Sequence, residues 1–66
     1  MNIVVNGENT QVPEGASVRE LIERLGLGQR ACAAEVNESL VPRRDHEARL
    51  LMENDRVEIV TLVGGG

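Results

Sequence analysis

Residues 17–27 read SVRELIERLGL, and this stretch decides the fold. Val18, Leu21, Ile22 and Leu25 fall at i, i+3, i+4 and i+7, which makes one apolar stripe on a helix, while Arg19, Glu20, Glu23 and Arg24 occupy the opposite face. Ser17 followed by Glu20 has the spacing of a capping box, so the helix begins after Ser17. Gly26, flanked by Leu25 and Leu27, supplies a C-terminal stop with an apolar clasp. A single short amphipathic helix cannot bury its own stripe. Something flat and apolar must lie beneath it.

Strand patterns on both sides provide that surface. Upstream, MNIVVNGENTQV reads as a β-hairpin, because Asn6-Gly7 is the strongest two-residue hairpin signal and alternation sets Ile3 and Val5 against Val4. Downstream, ACAAEVN places Cys32, Ala34 and Val36 on one parity, and Asn37-Glu38 marks a turn. Leu40 and Val41 form a brief strand closed by Pro42, which has no N–H for a ladder. RRDHEARLL reads as a loop carrying one helical turn. After the turn residues ENDR comes RVEIVTLV, the clearest strand, with Val57 and Ile59 on one face and Arg56 and Glu58 on the other. One helix laid across one mixed sheet of four to five strands is therefore expected, an α+β domain over residues 1–63 with a glycine tail at 64–66. The expected buried set is Ile3, Val5, Val18, Leu21, Ile22, Leu25, Cys32, Val36, Val57 and Ile59.

Composition narrows the chemistry. At 66 residues the chain supports one core, and without Trp, Tyr or Phe that core is aliphatic. The net charge is −4 and all seven basic residues are arginines interspersed with acids, which argues against a nucleic-acid partner. No apolar run is long enough to cross a bilayer and the start lacks a leader pattern, so a cytoplasmic protein with no membrane partner is the expectation. No catalytic constellation stands out. His46, the only histidine, reads as a solvated loop side chain, and Cys32 as a small buried hydrophobe. One Cys and one His fall short of a zinc ligand set, and the terminal glycines precede no helix that would cradle phosphate, so no metal or bound cofactor is expected.

The tail has a different logic. Gly64, Gly65 and Gly66 bury nothing and give up much backbone entropy on ordering, yet they follow directly on the best strand. Three extended residues reach about 10 Å, enough to carry the Gly66 carboxylate into a partner's cleft with both sides of the carbonyl open. Along the outward parity of the last strand, Arg56 and Glu58 give way to Val60 and Leu62, with Val4 available from a neighbouring strand, as a partner-docking surface would require. Lysine is absent, so an activated Gly66 meets no side-chain amine on its own chain.

Taken together, the NG turn, the capped helix, EVNESLVPR and NDRVEIVTLVGGG resemble the ThiS family of ubiquitin-like β-grasp sulfur carriers of thiamine thiazole biosynthesis, from Met1 to Gly66. The resemblance implies that a ThiF-like adenylating enzyme uses ATP to activate the Gly66 carboxylate, that a sulfur donor protein converts it to a thiocarboxylate, and that a ThiG-like thiazole synthase takes the sulfur. It implies a protein co-substrate, not an enzyme. His46 stands where the family often has an aromatic residue, and Asn54 replaces a commoner glycine before Asp55, although Asn tolerates the left-handed region. The small subunit of molybdopterin synthase shares this chemistry, and a ubiquitin-like modifier or plain interaction module shares the diglycine end.

Overall fold

The computed structural model describes residues 1–62; Val63 and the glycine tail, with the proposed domain boundary at 63, lie outside the described residues. The elements are β1 (Asn2–Val5), β2 (Glu8–Gln11), α1 (Val18–Arg24), β3 (Cys32–Val36), β4 (Ser39–Val41), a 3-10 turn over Arg43–Asp45, and β5 (Arg56–Thr61). They form one five-stranded sheet in the order β2-β1-β5-β3-β4, with α1 packed across one face. β1 and β5 run parallel, and the remaining pairs are antiparallel. The last strand therefore inserts between the first and the third.

Local chemistry explains each corner. Asn6 and Gly7 take φ of 50° and 84°, as a type I′ hairpin turn demands, and Asn37 and Glu38 repeat the device at 52° and 69°. Asn54 sits at φ 70°, the left-handed conformation its residue type tolerates. Asp55 is buried and pins two turns at once. It accepts from the Met52 N–H at 2.8 Å and from Asn37 Nδ2 at 3.0 Å, while Asn37 Oδ1 accepts from the Arg56 N–H at 2.9 Å.

At the start of α1 the orphan N–H groups all find partners. The Ser17 side chain accepts from the Glu20 N–H at 3.1 Å, and the Glu20 carboxylate accepts from the Ser17 N–H at 3.2 Å, which completes the capping box. The Leu21 N–H reaches the Ser17 carbonyl at 3.0 Å, and the Val18 and Arg19 N–H groups donate at 2.9 Å to the carbonyls of Arg49 and His46. The 43–50 loop is thus fastened onto the helix start. This explains a departure from expectation at His46, which is only 6% exposed, its Nε2 lying 3.0 Å from the Val41 carbonyl. A loop whose carbonyls serve a helix must fold inward, and it carries the imidazole with it.

Of the ten residues expected in the core, nine are buried, and Val12, Ala16, Ala34, Val41 and Leu51 join them. Leu25 is the exception at 39% exposure. The helix stops at Arg24, leaving Leu25 as the C-cap, and Gly26 at φ 79° reverses the chain. The Gly26 N–H bonds the Glu23 carbonyl and the Leu27 N–H the Ile22 carbonyl, both at 3.0 Å, which is a Schellman motif. In that geometry the apolar clasp is the residue after glycine. Leu27 therefore packs against the core and Leu25 turns outward.

Candidate functional site

Of the residues expected to bear on function, Val60 lies near the end of β5 and Leu62 just beyond it. This strand is held from both sides at its start. The Val4 N–H bonds the Asp55 carbonyl and the Asn6 N–H the Val57 carbonyl, each at 2.9 Å. Beyond Asn6 the chain turns away, and the Asn6 side chain takes over the ladder: Oδ1 accepts from the Ile59 N–H at 3.0 Å and Nδ2 donates to the Ile59 carbonyl at 3.1 Å. From there β5 continues against β3, with Val60 opposite Ala33 and Thr61 opposite Cys32, and the Leu62 N–H reaches the Ala31 carbonyl at 2.9 Å. The strand that leads to the glycines is thus anchored in the middle of the sheet.

The face of β5 turned away from α1 changes character along its length. At the Arg56 end it is polar: Arg56 lies beside Val4, and Glu58 stands directly opposite Glu35. Like charges facing across a strand pair repel, and among the described residues no ion pair engages Glu35 or Glu58. Toward the tail, Val60 and Leu62 are 56% and 58% exposed, with Ala33 between the strands beside Val60. Leu40, opposite Glu35 on β4, is 67% exposed on the same face. Register brings Val60, Leu62 and Ala33 together. Val4 shares their face, but its partner on β5 is Arg56, four residues or about 13 Å short of Val60. Leu40 and Ala33 were missed in the sequence, where only the β3–β4 and β3–β5 registers could reveal them.

Gly64, Gly65 and Gly66, the expected reactive tail, lie outside the described residues. Among the described residues no group of three or more His, Cys, Asp and Glu side chains could hold a metal ion, and no helix is long and apolar enough to cross a membrane. Cys32 is buried, its Sγ 3.6 Å from the Arg30 carbonyl.

A parallel β1–β5 pair at the centre of a five-stranded mixed sheet, crossed by one helix and ending in an exposed strand tip, defines the ubiquitin-like β-grasp class. The crystal structure of the thiamine biosynthesis protein ThiS from Geobacter metallireducens superimposes with a TM-score of 0.83 at 32% identity, covering 100% of both chains. The ThiS family model matches residues 1–66, and the chain belongs to the ThiS family. It is 29% identical to the sulfur carrier protein ThiS of Escherichia coli over the full length of both. A thiazole synthase of Paramagnetospirillum magneticum is 33% identical across this whole chain, which spans 20% of that protein's length. An uncharacterized protein, ycf40, of Porphyra purpurea is 35% identical over 100% of this chain and 93% of its own.

Proposed function

We propose that this protein is a sulfur carrier for thiazole formation, acted on by other enzymes and performing no turnover of its own. The observation that carries the reading is the central placement of β5, which directs an end-to-end member of the ThiS family toward its terminal glycines from the best-anchored strand of the sheet. A free terminal carboxylate is an anion at neutral pH and a poor electrophile. An adenylating partner changes that. A Gly66 oxygen attacks the α-phosphate of ATP, pyrophosphate leaves, and the resulting acyl adenylate is open to a sulfide-level sulfur from a donor protein. AMP departs, and Gly66 ends in a thiocarboxylate. A thiazole synthase then takes the sulfur into its substrate as the acyl–sulfur bond breaks, and an oxygen from that substrate or from water fills the vacated place on the acyl carbon and restores the carboxylate. The thiazole synthase that matches this chain over a fifth of its length favours that acceptor over a pterin one.

The carrier's own residues do two things in this scheme. Glycines at 64–66 leave the acyl carbon unobstructed in a narrow site, and the apolar surface of Val60 and Leu62, with Val4 further along the same face, docks the adenylating enzyme. The test is intact-mass analysis after incubation with the adenylating enzyme, ATP and a sulfur donor. Replacement of one oxygen by sulfur, located at Gly66 by fragmentation, is the expected result. A chain that stays at its starting mass while a relative in the same mixture gains sulfur would overturn the reading.

A further inference from the structure

On the helix side of the sheet, away from Val60 and Leu62, lies a groove of about 610 Å³ lined by Arg19, Arg30, Arg43, Arg44, His46 and Glu47, with Ile22 and Cys32 at its floor. Four of the seven arginines of an acidic chain converge here from three places: α1, the segment leading into β3, and the 3-10 turn. Against these four guanidinium groups the lining contains a single carboxylate, Glu47. Arg19 is partly engaged by Glu23 at 3.2 Å, but among the described residues no side-chain hydrogen bond or ion pair occupies Arg30, Arg43 or Arg44. The Val41 carbonyl can only accept, so His46 Nε2 carries the hydrogen and Nδ1 is left as the ring atom with no protein partner among the described residues.

We infer that this groove binds a small phosphorylated molecule. The volume falls within the range of small-molecule sites, and concavity with an apolar floor suits a compact ligand better than a protein surface. Planar guanidinium forks match phosphate oxygens two at a time, and like charges gathered without partners are stabilised when an anion enters. The site is independent of the carrier reading, because it lies on the opposite face from the docking surface. It nevertheless sits at the same end of the sheet: Arg30 adjoins Ala31, whose carbonyl holds the Leu62 N–H.

The test is an NMR titration of the isotope-labelled full chain with inorganic pyrophosphate at about 0.15 M salt, where contacts between well-separated exposed charges are largely screened. Saturable shifts confined to Arg30, Cys32, Arg43, Arg44, His46 and Glu47 are expected. Arg43→Gln with Arg44→Gln should keep the folded spectrum and weaken binding about tenfold or more, since hydrogen bonds to charged groups are involved. Arg24→Gln, on the exposed last turn of α1 and outside the groove, should leave it unchanged. AMP in place of pyrophosphate distinguishes a nucleotide ligand from a simple phosphate, and either one binding with this pattern supports the site. The inference is overturned if neither binds, if the Arg24 variant weakens binding as much as the double variant, or if a glutamate-rich peptide displaces pyrophosphate at lower concentration. It is also overturned if removal of Gly64–Gly66 tightens binding, which would make the tail carboxylate the occupant.

Discussion

The two ends of β5 belong to one strand and answer to opposite demands. At Arg56 the backbone is gripped by β1, by Asn37 and through Asp55 by the 52–55 turn, so that a hydrogen-bond network closes around it. At Leu62 the backbone bond among the described residues is to Ala31, just before β3, and the outward side chains of Val60 and Leu62 are apolar and exposed. The comparison teaches where this small domain keeps its stability and where, on the proposed function, it meets its partners. Substitutions at the first end should be read in unfolding experiments, and those at the second in assays with partners.

Removing Gly65 and Gly66 puts the greatest strain on that division. Sulfur loading should be abolished, as read by intact mass, while the thermal transition moves hardly at all, because the removed residues bury no side chain. A large drop in the midpoint would mean that the tail belongs to the fold. The core beneath α1 should respond in the opposite way: Leu21→Ala or Ile59→Ala is expected to cost about 2–5 kcal/mol in denaturant unfolding. An unchanged midpoint for both would contradict the helix-on-sheet packing. At the gripped end, Asp55→Ala leaves the Met52 N–H and the Asn37 amide without their acceptor, and about 1–3 kcal/mol should be lost with loading of the surviving folded protein intact.

Val60→Asp and Leu62→Asp sharpen the other side. Each should slow activation by about tenfold or more if these side chains are buried in a partner complex, with stability altered by less than about 1 kcal/mol. Normal activation in both variants would remove the docking surface. The smallest effect is expected at Glu35→Gln, which relieves the repulsion across from Glu58 and should raise stability by a few tenths of a kcal/mol, less at high salt. A loss of stability there would show that the two carboxylates are better accommodated than their register suggests.

Most of the architecture was legible because local rules and global packing agree. Asn6-Gly7, the Ser17–Glu20 box and the alternation in 56–61 each specify one local conformation, and only one sheet buries all their apolar faces. Leu25 was misplaced because helical periodicity was carried one residue past the point where the Schellman turn rotates the chain. His46 was misread for a different reason. Its burial depends on carbonyls of its loop serving the N–H groups of a helix more than twenty residues earlier, a long-range hydrogen-bond debt that no local pattern announces. The candidate site divides in the same way: Val60 and Leu62 follow from strand parity, whereas Leu40 and Ala33 needed the register, and the arginine groove needed three separated segments to meet.

The position of β5 has one more consequence, which concerns the order in which the chain is made. Asn6 and Ile59 are 53 residues apart, and until residues 56–61 exist, β1 and β3 have nothing between them to complete the sheet. A nascent or prematurely ended chain therefore exposes two unsatisfied strand edges, a state prone to aggregation and to proteolysis. In sequence, the glycines at 64–66 come two residues after the strand whose arrival closes the sheet. Topology thus makes β5 a closing strand: the sheet is whole only when residues 56–61 have paired with both β1 and β3.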